Sequence, residues 1–282
     1  MTKQSLETIR TIAGLRARVA EWRLKSLSVG MVPTMGALHA GHVSLVDAAL
    51  SGCDRVVVTL FVNPTQFAPS EDFGSYPRDE AKDRALLAEM GVAVLFAPET
   101  AEMYPPGEAT RISVGGPAED LESVQRPHFF GGVATVVAKL LLAGLPDRAY
   151  FGEKDFQQLA VIRRMVRDLA IPVEIVGHPT VRAADGLALS SRNAYLSEAE
   201  RAVAPRLHAT LQDVAAAMRG GTTPEAALAK GKRALTDAGF AVDYLEARDA
   251  ETLAVPGEGT GPLRLLVAAK LGRTRLIDNI AV

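Results

Sequence analysis

The end of a strand, a turn and the start of a helix are encoded in residues 32–42, which read VPTMGALHAGH. The lead-in is apolar, a proline and a glycine interrupt it, and an apolar-periodic segment begins directly after His42. Unpaired backbone N–H groups and the positive end of the helix dipole make such a helix start a natural anion site. His39 and His42 flank the small residue Gly41, so both imidazoles can contact one phosphate.

A metal site at this histidine pair is the weaker alternative. Cys53 is the only cysteine, and the remaining histidines, His128, His178 and His208, show no ligand-like spacing to the pair. We therefore expect no protein-bound metal cluster.

Composition narrows the class of protein. With 282 residues, 48% of them hydrophobic, the chain can form one large domain or two modest ones. A net charge of -2 gives no general basic field, which argues against nucleic acid as a partner. No uncharged apolar run approaches the ~20 residues of a membrane span, and charges among the first 23 residues favour an amphipathic helix over a secretory signal. We expect a cytoplasmic protein with no membrane partner.

Short apolar strands alternate with helical segments between residue 28 and about residue 178, which predicts βαβ units. The expected fold class is α/β, a Rossmann-like doubly wound parallel sheet. The predicted strands are 28–32, 55–62, 92–96, 148–151 and 173–176, and the predicted helices lie near 42–52, 78–90, 132–143 and 155–170.

The pattern changes after residue 180. Ser197 is a plausible N-cap for a long Ala-rich helix, a second helix begins near Thr223, and three alternating strands follow at 240–248, 263–269 and 275–280. We predict two domains, residues 1–180 and a smaller α+β domain over residues 181–282.

Unusual polar residues stand at the predicted strand ends, where open parallel sheets bind ligands. Neither a P-loop nor a GxGxxG motif is present, but a triphosphate can be held by the 39–42 segment, by Lys154 and by the loop LSSRN at 189–193. A flexible turn at Asp185-Gly186 precedes that loop, so the second domain can close over the phosphates.

Amide side chains form another candidate group. Asn63, Gln66 and Gln158 suit a small polar substrate, because an amide binds a carboxylate without suppressing its nucleophilicity as strongly as a cation does. Ordinary structural roles remain open for these positions: an exposed glutamine, an exposed Lys154, and Asp155 as a helix N-cap.

The HxGH motif at 39–42 resembles the signature of the nucleotidyltransferase superfamily. Four segments together resemble one family closely, the pantothenate synthetases or pantoate–β-alanine ligases, in order and in spacing. These segments are PTMGALHAGH at 33–42, FVNPTQF at 61–67, GEKD at 152–155 followed by Gln157-Gln158, and LSSRN at 189–193.

The resemblance implies an ATP-dependent condensation of pantoate with β-alanine through a pantoyl adenylate, with Mg²⁺ as cofactor and a homodimer as the assembly. It places His42 as a proton donor, and we expect His39, Lys154, Ser190, Ser191 and Arg192 to share in catalysis. It assigns pantoate to Gln66 and Gln158, and we add Asn63 and Arg126 as substrate-binding candidates. It implies that ATP contacts Met35, Gly36, Ala37, Leu38, His39, Ala40, Gly41, His42, Gly152, Glu153, Lys154, Asp155, Val181, Leu189, Ser190, Ser191 and Arg192.

One segment departs from the family pattern. The family reads Arg-Pro-Gly-His-Phe, whereas residues 126–130 read RPHFF, so the histidine stands one place earlier and we assign His128 no role.

Two other functions are weighed against the ligase: another HxGH nucleotidyltransferase, such as a cytidylyltransferase, and a non-catalytic nucleotide-binding protein. The segment NPTQF at 63–67 together with Gln158 is not expected in a cytidylyltransferase. A non-catalytic protein predicts a damaged phosphate site, whereas the proposed phosphate residues are all present: His39, His42, Lys154, Ser190, Ser191 and Arg192.

Overall fold

The computed structural model describes residues 5–67, 73–74, 78–257 and 259–282. The chain divides into two compact units. The first comprises Met1–Glu153 and Val161–His178, and the second comprises Lys154–Ala160 and Pro179–Val282. That the second domain, predicted as residues 181–282, closes over the bound phosphates stays a prediction.

The first unit is built on a six-stranded sheet whose strands all run parallel. The strands are β1 (Glu7–Ile9), β2 (Val29–Thr34), β3 (Arg55–Leu60), β4 (Val94–Phe96), β5 (Arg148–Gly152) and β6 (Glu174–His178), in the spatial order β1-β4-β3-β2-β5-β6. The helices are α1 (Ile12–Arg23), α2 (Ala40–Gly52), α3 (Glu80–Met90), α4 (Thr100–Met103), α5 (Glu122–Gln125), α6 (Phe129–Gly144) and α7 (Phe156–Asp168), of which α7 contributes its first residues to the second unit. The predicted Rossmann-like fold class is confirmed.

The order of the strands indicates which edge of this sheet is expected to bind a ligand. From β2 the chain proceeds through β3 and β4 on one side, and it later returns to form β5 and β6 on the other side. The carboxyl ends of β2 and β5 therefore flank the point at which the strand order reverses, which is where open α/β sheets bind ligands. The central strands are apolar on both faces, with Val32 and Val57 fully buried, because each face is covered.

The prediction for the amino-terminal stretch was wrong in one respect. Residues Glu7–Ile9 form the edge strand β1, which pairs with β4, and α1 begins only after the N-cap Thr11. A three-residue strand that begins with a charged side chain has too little alternation to distinguish it from a helix start.

The second unit packs helices on a three-stranded antiparallel sheet, as predicted. Its elements are α8 (Glu198–Val203), α9 (Arg206–Arg219), α10 (Pro224–Asp237), β7 (Phe240–Asp249), β8 (Leu263–Leu271) and β9 (Thr274–Ala281). Ser197 is the N-cap of α8, but the single long helix expected after it is broken before Arg206. Pro205 lies at the break, because its ring and missing N–H prevent the first helix from continuing.

A buried ion pair stabilises this second unit. Arg182 donates to both carboxylate oxygens of Asp278, at 2.6 and 2.8 Å, and the Asp278 side chain is only 2% exposed. Burial alone raises the pKa of Asp278, but the His208 ring, with Nδ1 3.4 Å from Oδ2, and the Arg182 guanidinium outweigh it and hold the pKa below the ordinary carboxyl value.

Within the described ranges, no helix combines the length and the apolar character that a membrane span requires.

We expect Asp278→Asn to destabilise the protein by up to about 3–5 kcal/mol at pH 7, because the part-buried Arg182 charge, 20% exposed, loses its partner. The lowered carboxyl pKa contributes stability above pH ~4 that is lost as the pH falls through the folded-state pKa, so the deficit of the variant shrinks on acidification. Urea unfolding followed by circular dichroism between pH 7 and pH ~2, a range that passes through the lowered carboxyl pKa, checks both effects. A deficit that stays constant across this range would contradict the buried ionised pair.

Candidate active site

The turn after β2 holds an unusual backbone conformation. Gly36 and Ala37 both have left-handed φ values, 84° and 52°. The Thr34 hydroxyl donates to the Thr59 carbonyl at 2.6 Å and accepts from the Gly36 N–H at 3.2 Å, so the strand end is tied to β3 before the chain turns. This geometry directs residues 37–39 into the start of α2.

The two histidines cap that helix through their rings. His39 is the N-cap, and its Nδ1 accepts from the Gly41 N–H at 3.1 Å, while Nδ1 of His42 accepts from the His39 N–H at 3.3 Å. Because a backbone N–H can only donate, each Nδ1 is unprotonated and the neutral ring carries its proton on Nε2. The ring centroids lie 4.2 Å apart, so two Nε2–H donors stand side by side at the helix start.

Gly41 is required for this arrangement. A Cβ at residue 41 would lie 2.9 Å from Cε1 of His39 and 3.0 Å from its Nδ1. Glycine at this position therefore allows the His39 ring to fold back onto the helix start, while the predicted role of Gly41 in leaving a ligand access to both rings stays a prediction.

Sequence reasoning missed the residue that fixes the turn, Asp83. This carboxylate is 3% exposed, and it accepts from the Ala37 N–H and the Leu38 N–H, both at 2.9 Å. Its two partners lie 46 and 45 residues away in the chain, so no local sequence signal predicts these contacts, and only the structure shows that Asp83 shares the buried side of α3 with Leu87.

The predicted amide group adjoins the same turn. Asn63 is fully buried, and its Nδ2 donates to Oε1 of Gln66 at 3.3 Å and to the Gly132 carbonyl at 3.2 Å. Its Oδ1 accepts from the Tyr104 hydroxyl at 2.8 Å. Asn63 thus orients Gln66, whose Nε2 lies 2.7 Å from Sδ of Met35.

Arg126 extends this group. Its guanidinium donates to the Gln66 carbonyl at 3.2 Å and stacks on the Phe129 ring at 3.8 Å from the centroid. His128, the histidine displaced from the family position, is exposed at the start of α6.

Other predicted residues follow β5. Gly152 and Glu153 belong to the first unit, and Lys154, Asp155 and Gln158 belong to the second. Lys154 lies in a short 3₁₀ turn, with its Nζ 3.6 Å from Oδ1 of Asp155 and its side chain 19% exposed.

The remaining predicted residues form a short hairpin and a turn in the second unit. Leu189 donates its N–H to the Val181 carbonyl at 2.9 Å, and the Ser190 hydroxyl caps the 3₁₀ helix Ser191–Tyr195 by accepting from the Arg192 N–H at 3.3 Å. Asn193 Nδ2 donates to the Ala188 carbonyl at 3.0 Å.

Each unit therefore brings its share of the predicted residues together. In the first, contacts from Met35 through Gln66 to Arg126 join the histidine turn to the amide group. Among the described residues, no group of three His, Cys, Asp or Glu side chains is placed to hold a metal ion.

Comparisons with known proteins agree with this geometry. A family model described as pantoate-beta-alanine ligase matches residues 7–281. A pantothenate synthetase of Mesorhizobium japonicum is 57% identical over 98% of each chain, and one of Paramagnetospirillum magneticum is 55% identical over 99% of this chain and 98% of the relative. The chain belongs to the pantoate–beta-alanine ligase family.

Solved structures give the same result. A pantothenate synthetase of Thermus thermophilus superposes with a TM-score of 0.89 at 50% identity, covering 97% of this chain and 98% of that one. A pantoate-beta-alanine ligase of Francisella tularensis, complexed with beta-gamma ATP and beta-alanine, superposes with a TM-score of 0.81 at 34% identity over 98% of each chain. This chain is accordingly an enzyme that ligates pantoate and β-alanine. The cytidylyltransferase and the non-catalytic alternatives are set aside.

Because Asp83 fixes the turn of this ligase, we expect Asp83→Asn to lower kcat/KM for ATP by about tenfold to a hundredfold, since the new NH₂ group opposes one of two backbone donors. Steady-state kinetics checks this. Asp79→Ala is the matched control: it removes the N-cap of the same helix, costs about 1 kcal/mol of stability, and leaves kcat/KM near wild type. Equal kinetic losses in both variants would refute the special role of Asp83.

Proposed function

We propose that this ligase activates pantoate with ATP to give pantoyl adenylate and pyrophosphate, and that β-alanine then displaces AMP to give pantothenate. The observation that carries the proposal is the pair of Nε2–H donors at the start of α2, at the carboxyl end of β2. The Francisella relative with beta-gamma ATP and beta-alanine supports both the nucleotide and the amine.

In the first step a carboxylate oxygen of pantoate attacks the α-phosphorus, and the bond from that phosphorus to the bridging oxygen of the β-phosphate breaks. Pyrophosphate leaves with the electron pair. His39 and His42 donate hydrogen bonds from Nε2 to phosphate oxygens as charge develops, and His42 stands in the position that the family resemblance assigns to the proton donor. Lys154, Ser190, Ser191 and Arg192 stabilise the remaining phosphate charge.

Residues 35–42, Gly152–Asp155, Val181 and Leu189–Arg192 form the proposed ATP site. Left-handed backbone at Gly36 and Ala37 supports this assignment for the first segment, because it turns the chain into the helix N-terminus, where backbone N–H groups gather.

Pantoate is proposed to contact Gln66 and Gln158, and Arg126, which donates to the Gln66 carbonyl, is a further candidate contact. The buried hydrogen bonds of Asn63 favour a role in orienting Gln66 over a direct substrate contact. Neutral amides bind the substrate while its carboxylate keeps its nucleophilicity.

In the second step the β-alanine amine attacks the acyl carbonyl carbon of the adenylate. The bond from that carbon to the phosphate oxygen breaks, AMP leaves, and the nitrogen loses a proton as the amide forms. Holding the adenylate and the amine together converts this step into an effectively unimolecular one.

Mg²⁺ is proposed to accompany the triphosphate. It is commonly bound by phosphate oxygens, water and one or two carboxylates, which fits a site without a three-ligand protein cluster and with the partly exposed Asp155 and Glu153 nearby in the chain. When bound, the ion neutralises phosphate charge. We also propose a cytoplasmic location, from the charged amino-terminal stretch, and a homodimer, which rests on the family resemblance.

An omission assay tests the overall reaction. AMP release should require ATP, pantoate and β-alanine together, whereas pyrophosphate release should require only ATP and pantoate, because the adenylate forms before the amine reacts. AMP release that is independent of pantoate would contradict the proposal.

His42→Ala should slow adenylate formation by about a hundredfold to a thousandfold while changing ATP affinity by much less, because its donor acts on developing charge. Single-turnover pyrophosphate release and equilibrium ATP binding measure the two quantities. His178→Ala, at the end of β6, is a control histidine that should react as wild type. Equal losses of rate and affinity in His42→Ala would contradict the transition-state role.

A further inference from the structure

The main chain of Lys154 is held by a side chain from the far end of the sequence. Nδ2 of Asn279, on β9, donates to the Lys154 carbonyl at 2.9 Å. Asn279 is 3% exposed, and both residues belong to the second unit. Asn279 is buried, so its part-buried hydrogen bond across 125 residues of chain is costly to leave unmade, and it fixes where the Lys154 backbone lies.

Arg264 fixes the orientation of that asparagine. Its Nε donates to Oδ1 of Asn279 at 2.7 Å, so the amide oxygen faces Arg264 and the amide NH₂ faces the Lys154 carbonyl. The Arg264 guanidinium also lies 4.0 Å from the ring centroid of Phe156, which follows Lys154 by two residues and is 7% exposed. Arg264 and Asn279 therefore hold the chain on both sides of Asp155.

The neighbouring residue of β9 holds a second predicted phosphate segment. Asp278 binds Arg182 through both carboxylate oxygens, and Arg182 lies at the base of the hairpin that leads to Leu189–Arg192. The Asn279 N–H donates to Oδ1 of Asp278 at 2.7 Å, which links the two anchors.

Fixing the main chain matters for a lysine because its ammonium is a point charge at the end of a flexible four-carbon side chain. The side chain samples many positions, so the placement of the backbone decides which of them the charge can reach. A misplacement of about 1 Å at a reacting centre can cost about a hundredfold in rate.

We propose that Asn279, oriented by Arg264, is a positioning residue that places the Lys154 ammonium where it can stabilise phosphate charge during adenylate formation. The inference rests on the proposed role of Lys154. It assigns a kinetic function to the carboxyl-terminal sheet.

Asn279→Asp is the sharpest test, because the aspartate is isosteric and still accepts from Arg264 but cannot donate to the Lys154 carbonyl. We expect single-turnover pyrophosphate release at saturating ATP and pantoate to slow by about tenfold to a hundredfold. The amplitude of the reaction reports the folded fraction and the rate constant reports positioning, so a loss of folded protein lowers only the amplitude. Asn279→Ala, which adds no charge, is a second variant and should slow the same step.

Asp243→Asn is the matched control. Asp243 accepts from Arg275 of the same strand β9 at 2.6 Å, and its side chain is 15% exposed, so the control weakens one ion pair of the same sheet without touching Lys154. Its rate constant should equal that of the wild type.

A double-mutant cycle decides whether Asn279 acts through Lys154. Lys154→Ala alone should slow the step by about a hundredfold or more, and adding Asn279→Asp to it should have little further effect. If Asn279→Asp matches the wild type, or costs the same factor in the Lys154→Ala background, the positioning role is refuted while the proposed function stands. A wild-type rate for Lys154→Ala would refute the phosphate role of the lysine and the inference with it.

Discussion

Two hydrogen bonds from backbone N–H groups to imidazole nitrogens determine what the start of α2 can bind. Gly41 donates to Nδ1 of His39, and His39 donates to Nδ1 of His42. Without them each ring could rotate and either nitrogen could carry the proton. With them, the rings are fixed and both present an Nε2–H donor beside a helix N-terminus. The turn held by Asp83 then serves to keep this pair in place.

The two neutral imidazoles provide neither positive charge nor a contact for the second substrate, and other parts of the molecule are proposed to provide both. The sheet brings the ends of β2 and β5 to its switch point, and the first unit adds Gln66, oriented by Asn63 and proposed to contact pantoate. In the second unit, adjacent residues of β9 anchor the Lys154 backbone and, through Arg182, the hairpin before the Ser190–Arg192 segment. The proposed positive charge and hydroxyl donors are thus carried by backbone that part-buried hydrogen bonds from β9 hold.

Much of the architecture could be predicted from local patterns. The strands of the α/β part and the three carboxyl-terminal strands have strong apolar runs or alternation, and their topology follows from βαβ handedness and short connections. The edge strand β1 was too short to be recognised, and the break at Pro205 was underestimated. Motif residues such as His42 could be named from sequence. Asp83 and Asn279 could not, because their partners are backbone atoms 45 and 125 residues away in the chain, and pairing at such separations is set only by the folded structure.

The most direct test of the account is the protonation of the two imidazoles, measured by nitrogen NMR of the ¹⁵N-histidine-labelled enzyme at neutral pH. We predict that His39 and His42 are both neutral with the proton on Nε2, and that binding of ATP shifts the Nε2 resonances more than the Nδ1 resonances. A proton on Nδ1 of either ring in the free enzyme would contradict the capping hydrogen bonds on which the phosphate site depends.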